Sequence, residues 1–205
     1  MQALNISLFQ WLAAGHTPHP QLLWIASVIA EGASWACVAI MGWVAWRRPP
    51  QRAYAMGTLV AAGVTALIAH ALADAINLPR PFALGLSPPH IVHGARGSLP
   101  SAHASVMFTV ALIFCMRSSL RGAGLAMLAI AVFTGWARVY VGVHFPFDIV
   151  AGLILAVAIT AVFWALVRLS QRFIIPRLVR DDAPTALRPK GSEKQGVAPT
   201  AVRHA

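Results

Sequence analysis

The sequence predicts an all-α integral membrane protein: about five transmembrane helices preceded by a short N-terminal amphipathic helix. Three observations predict it. Charged residues are 11% of the 205 and hydrophobic residues 58%, where a soluble domain carries about 25% charged residues. Mean hydropathy is +0.68. The apolar residues gather into stretches of spanning length separated by polar loops.

Residues 1–20 contain no Lys or Arg. Leu4, Leu8, Trp11 and Leu12 recur at helical spacing, which predicts a short helix lying in the membrane interface. The alternative is a frayed first turn of the next helix. No cleavable signal peptide is expected, because a basic n-region is missing. The first span runs from about Leu22 to Trp46 and stops at Arg47-Arg48-Pro49-Pro50. The second runs from about Tyr54 to Asn77 and stops at Pro79-Arg80-Pro81. A loop rich in Pro, Gly and His follows. The third span starts at Ala102 and fades near Met116. The fourth runs from about Gly122 to Tyr140, the fifth from about Phe147 to Leu169. The third is short: residues 102–116 cover only about 22 Å at 1.5 Å per residue. Either Arg117 to Leu120 continue that helix, or its His103 end lies below the interface. Residues 1–170 read as one membrane-embedded domain. Residues 171–205, polar from Asp181 onward, read as a basic, disordered cytoplasmic tail.

Five spans make the loops alternate. Arg47, Arg48 and Arg52, then Arg117 and Arg121, then eight basic residues from Arg168 onward fall on one side. By the positive-inside rule that side is cytoplasmic. Basic residues spread between apolar spans do not make a nucleic-acid surface. Arg80, Arg96 and Arg138 are left on the outer side, and grouped arginines most often hold an anion. Cys37 and Cys115 lie inside apolar spans and read as small core hydrophobes, not as a disulfide or metal site.

Three polar knots fall on that outer side. In Pro100-Ser101-Ala102-His103, Ser101 is placed as N-cap of the third span. A helix N-terminus offers free backbone N–H groups and a positive dipole end, a seat for phosphate. In Ala137 to Asp148, Pro146 fits the first position of the fifth span and makes Asp148 its third. Asp148 is then placed to accept a hydrogen bond from His144 and fix its tautomer, leaving the other ring nitrogen free to attack. In Pro79-Arg80-Pro81 the stiff backbone aims the guanidinium. Inside the spans, Glu31, His70 and Asp74 are the remaining ionisable groups. His70 and Asp74, at i and i+4, share a face and can support the structure or the substrate. Glu31 has no evident partner.

Arg80-Pro81, Pro100-Ser101-Ala102-His103 and Arg138-x5-His144-x3-Asp148 resemble the three signature motifs of the type-2 phosphatidic acid phosphatase superfamily: K-x6-R-P, P-S-G-H and S-R-x5-H-x3-D. The resemblance covers residues 1 to about 170. The Leu4–Phe9 run, the Arg80-Pro81-Phe82 run and the His-containing loop look most like the bacterial undecaprenyl-diphosphate phosphatases linked to bacitracin resistance. The resemblance implies that His144 is the nucleophile, forming a phosphohistidine. It implies that Asp148 orients His144 and that His103 protonates the leaving oxygen. Arg80, Arg138, Ser101 and the backbone at Ala102 would hold the phosphoryl oxygens. No metal and no cofactor are implied. The implied setting is the bacterial inner membrane, with the site facing the periplasm and a polyprenyl diphosphate lipid as substrate. Three positions depart from the pattern. Ala73 stands where the family has lysine, with Arg96, His90 or His93 as candidate replacements. Ala102 stands for glycine, and Ala137 for serine.

The expected activity is hydrolysis of undecaprenyl diphosphate to the monophosphate and phosphate. A phosphatidylglycerophosphate or phosphatidate phosphatase, and a transferase to a lipid acceptor, are alternatives within the class. A flippase or transporter using Glu31, His70 and Asp74 as a proton relay is the alternative outside it. Oligomeric state is not given by the sequence.

Overall fold

The computed structural model describes residues 2–94 and 96–174. Among the described residues there are six α-helices: α1 (Gln2–Leu12), α2 (Pro20–Arg47), α3 (Arg52–Ile76), α4 (Ala102–Met116), α5 (Arg121–Tyr140) and α6 (Pro146–Leu169). Helical turns at Pro49–Gln51, Phe82–Leu84 and Ser118–Leu120 fill the connections. Among the described residues there is no strand. The boundaries follow local chemistry. α2 opens on Pro20, whose missing amide costs nothing in a first turn. α3 closes on Asn77, left-handed at φ 46°, just before Pro79. The expected third span ends at Met116, because Arg117 is extended. The helix therefore does not continue to Leu120.

Among the described residues, four segments are long and apolar enough to cross a membrane: Pro20–Arg47, Pro49–Ile76, Ser118–Tyr140 and Pro146–Arg172. α4 is apolar too, but only 15 residues long. It is also the enclosed helix. Ala104, Met107, Phe108, Ala111, Ile113 and Phe114 are all buried, as suits a helix that is apolar all round. α4 lies mainly against α5 and α3, and α2 against α5. α6 joins through Ala156 in the central cluster and Phe163 edge-on to Tyr54 at 5.5 Å. The outer helix faces carry large exposed apolar residues such as Trp35, Trp43, Leu67 and Ile154, which suit lipid. Cys37 and Cys115 are free thiols.

The connections sort to two ends. Arg48 donates to the Ser119 carbonyl and the Arg117 guanidinium lies 4.8 Å from the Tyr54 ring centre. The basic α2–α3 and α4–α5 turns therefore share one end. At the other, Ser101 N–H donates to Asp148 O at 3.1 Å and His90 N–H to Val141 O at 3.0 Å. All three polar knots gather there.

α1 is a helix of its own, as the apolar spacing predicts, and it also docks on the bundle. Leu4 and Trp11 are 57% and 82% exposed, whereas Phe9 is fully buried, with Ile6 and Leu12 beside it. The stripe that docks runs through Ile6 and Phe9 because Phe145 offers them a ring; Leu4 and Trp11 face outward. Residues through Val167 form one compact unit and a second begins at Arg168. The described part of the second is the last residues of α6 and the turn Ser170–Ile174. Most of the expected tail, residues 175–205, lies outside the described residues.

Candidate active site

The spacing between Arg138 and His144 is set by a helix stop. α5 ends at Tyr140, and Gly142 follows at φ +82°. Gly142 N–H donates to Val139 O at 3.1 Å and Val143 N–H to Arg138 O at 3.2 Å. That pair of bonds is the Schellman stop, which favours glycine at the left-handed position. A Cβ there would also come within 2.7 Å of Pro88 O. Arg138 is thus the last-turn residue whose carbonyl closes the motif, and His144 is the first residue beyond it.

α6 then starts at once. Pro146 is its first residue and Asp148 its third. Asp148 Oδ2 accepts the Phe145 N–H at 2.8 Å, as the third-position acid of a capping box does. The same oxygen accepts His144 Nδ1–H at 3.2 Å and the Ser98 hydroxyl. Asp148 is 3% exposed and His144 2%.

The other face of His144 meets Arg80, whose Nη1 lies 3.2 Å from Nε2. The same Nη1 lies 3.5 Å from Nδ1; it is the Asp148 carboxylate, an acceptor, that places the proton on Nδ1 and leaves Nε2 its lone pair. Arg80 is itself aimed by three carbonyls: Arg96 O at 2.8 Å, Val143 O at 2.9 Å and Gly97 O at 3.1 Å. The loop bearing two of those carbonyls lies tight on α3. A Cβ on Gly97 would fall 2.0 Å from Ala73 O, so only glycine fits.

Arg138, 2% exposed, donates through Nη1 to Ala30 O at 3.1 Å, and Nη2 stands 3.5 Å from His93 Nε2. Its Nε has no partner, and neither has the fully buried Ser101 hydroxyl at the start of α4. Unpartnered buried polar atoms are rare and ask for an explanation; here both belong to the two knots expected to hold an anion.

Beside them lies a cavity of about 380 Å³ lined by Arg80, Arg138, His144, His103, His93 and Arg96; Ser101, fully buried, stands behind its wall between Pro100 and Ala102. Ala73, His70 and Ala102 line it as well. Burial holds the His144 imidazole down to about 4, against the Asp148 hydrogen bond, which pulls it up. Burial, then Arg80 and Arg138, hold His93 down to about 3. Burial also lowers Arg80, with Asp148 opposing. A neutral imidazole with its lone pair facing a cationic cavity is equipped to attack an electrophile that arrives as an anion.

Of the residues singled out in the sequence, Arg80, Arg138, His103, His144, Ala102 and Arg96 meet in this cavity, with Asp148 behind His144. His70 lines it, but Asp74 is exposed on α3 away from it. No hydrogen bond or ion pair joins that pair among the described residues. Glu31 follows the Ala30 carbonyl that receives Arg138. Of the candidates for the absent lysine, His93 and Arg96 line the cavity; His90 turns away and donates to Gly15 O at 2.9 Å. Sequence reasoning missed Ser98 and Asn5. Asn5 Oδ1 accepts the Phe147 N–H at 3.1 Å. Neither falls at a spacing that would have marked it.

This bundle, with paired arginines and imidazoles at one end, defines an integral membrane phosphatase. The chain belongs to the PAP2 superfamily, which matches residues 54–172. It is 31% identical over 157 residues to the Escherichia coli protein named "Putative undecaprenyl-diphosphatase YbjG", covering 75% of this chain and 78% of that one. It is 28% identical over 113 residues to undecaprenyl-diphosphatase BcrC of Bacillus subtilis, covering 55% and 58%. In fold it resembles Aquifex aeolicus LpxE, with a TM-score of 0.66 at 21% identity over 79% of this chain and 95% of that one. The PAP2-type phosphatidylglycerolphosphate phosphatase of Bacillus subtilis also scores 0.66, at 22% identity over 84% and 88%.

Proposed function

We propose that the protein hydrolyses undecaprenyl diphosphate to undecaprenyl phosphate and inorganic phosphate through a phosphohistidine at His144. The observation that carries this is the His144 ring: Nδ1–H on Asp148, Nε2 without a proton beside Arg80, and the ring on the cavity wall. The likeness to YbjG and BcrC, both named for that activity, supports the substrate.

Nε2 attacks the terminal phosphorus. A P–N bond forms and the anhydride P–O bond breaks. His103 gives its proton to the departing lipid phosphate. Arg80, Arg138, the Ser101 hydroxyl and backbone N–H groups at the start of α4 hold the three phosphoryl oxygens, where charge develops. Water then attacks phosphorus, His103 takes its proton, the P–N bond breaks, and phosphate leaves. Asp148 stabilises the positive ring throughout. The site lies at the end opposite the basic turns, which supports a periplasmic site in a bacterial inner membrane.

The test is phosphate release from undecaprenyl diphosphate in detergent, with trapping of acid-labile phosphate on the protein. His144→Ala should abolish both. His103→Ala should cost about 10² to 10⁴ in rate; a loss under about tenfold would remove it as the acid. A phosphorylated product that requires a lipid alcohol would instead mark a transferase.

A further inference from the structure

We infer that α1 is a positioning helix for the nucleophile: Asn5 caps the helix that carries Asp148, and Phe9 pins the residue beside His144. The inference rests on the reading of His144 given above. α6 begins with a need its own sequence does not meet. The residue before a helix ordinarily lends a side-chain oxygen to the second or third amide. Here that residue is Phe145, which has no acceptor. Pro146 has no amide hydrogen, so the first free donor is Phe147 N–H. Its partner comes from 142 positions away, Asn5 Oδ1 at 3.1 Å.

Phe145 also places an aromatic ring where a cap would normally be polar. That ring lies edge-on to Phe9 at 5.3 Å, with 62° between the planes. Ile149, in the fourth position of α6, joins the same cluster. A self-sufficient helix fixes its entry angle with a local apolar pair across its first turn; α1 supplies that partner from outside. The exit of α1 grips the other flank of the turn. Ala14 N–H donates to Tyr140 O at 2.9 Å, and Gly15 O accepts from His90 at 2.9 Å.

His144 therefore rides on a segment held at Tyr140 on one side and at Phe145 and Phe147 on the other, each time by the first fifteen residues. Those residues lie outside the stretch that matches the family. Asn5 does not line the catalytic cavity, so it acts through what it holds. Loosening the first turn of α6 displaces Asp148 from His144 before it disturbs anything else in the site.

The test compares the full chain with Asn5→Ala, Asn5→Asp and His144→Ala, all in detergent. It reads phosphate release across a range of undecaprenyl diphosphate concentrations, and amide hydrogen exchange at Phe147 and Asp148. Asn5→Ala should lower kcat about 3- to 30-fold, the range that loss of a cap gives, with KM changed by less than about twofold. Exchange at both amides should quicken. Asn5→Asp keeps the acceptor oxygen and should restore kcat and exchange together. Native kcat in Asn5→Ala, or equal impairment of the two variants, overturns the inference while leaving His144 in place. If the native chain releases no phosphate, the hydrolase reading falls, and exchange alone decides for α1. Unchanged protection of Phe147 in Asn5→Ala would then overturn it.

Discussion

Replacing Asp148 by asparagine separates the charge of that residue from its shape. Oδ2 accepts from the Ser98 hydroxyl, from Phe145 N–H at 2.8 Å and from His144 Nδ1 at 3.2 Å. All three donors meet one oxygen, so only one orientation of an amide serves them, with its carbonyl in that place. His144 keeps its position and its Nδ1–H tautomer, and the negative charge is gone. In the proposed mechanism, attack through Nε2 leaves the ring positive. A unit charge 3.2 Å away is worth about 5 kcal/mol at an effective dielectric of about 20. We expect kcat for phosphate release to fall by about 10² to 10⁴, with stability changed by about 1–2 kcal/mol. Asp148→Ala is the control. It strands the Phe145 amide and the Ser98 hydroxyl, both buried, at about 1–3 kcal/mol each, and should lose stability as well as rate. Denaturation in detergent beside the kinetic assay distinguishes the two variants. An asparagine variant within about tenfold of native kcat would refute the claim that the charge drives the step.

Three further outcomes follow from the geometry. Ser101→Ala removes a buried hydroxyl that has no partner. The folded state should be as stable as native or slightly more so, while phosphate release falls about tenfold, as for loss of a charged hydrogen bond. Because His144 is held down to about 4, the acid limb of kcat/KM should fall near pH 4 and not near the ordinary histidine value of 6.5. His93 and His144 bind protons more readily in the unfolded chain, so stability should drop as pH falls below about 6.5 and level off near pH 3 to 4. A pH series of melting curves checks the sign. Gly142→Ala forces a side chain onto φ +82° and against Pro88 O. It should cost about 1–2 kcal/mol or more, and move His144 with it, so rate and melting temperature should fall together.

The helices were legible because lipid-facing segments announce themselves by length and apolarity, and because Arg47-Arg48-Pro49-Pro50, Pro79-Arg80-Pro81 and Pro146 punctuate the chain. The R-x5-H-x3-D run was legible through its likeness to the family motif and through Pro146 as a helix start; the stop at Gly142 that sets its spacing was not read. What else stayed hidden is long-range. Ser98 reaches Asp148 across 50 positions and Asn5 reaches Phe147 across 142, and no periodicity records such pairs. The docked face of α1, through Ile6 and Phe9, was not read, because Leu4, Leu8 and Trp11 are as apolar as they are. Which stripe turns inward depends on a ring supplied by Phe145. His70 and Asp74 share a helix face by spacing, yet only His70 borders the cavity, because the loop around Gly97 covers the end of α3 from one side.

α4 is both the shortest apolar helix and the one enclosed by protein. Fifteen residues give about 22 Å, against a hydrocarbon layer of about 30 Å. A rod walled in by its neighbours has no need to match the bilayer. With its lower tip level with the arginine-rich turns, its upper tip stops about 8 Å short of the far boundary. The cavity floor at Ala102 and His103 would then lie beneath the headgroup plane. A molecule anchored by its own tail can dip its head into such a well and stay moored, whereas a water-borne phosphate would descend with nothing to hold it. On the proposed function, that depth would favour membrane-tethered substrates over dissolved ones before any individual atom is recognised.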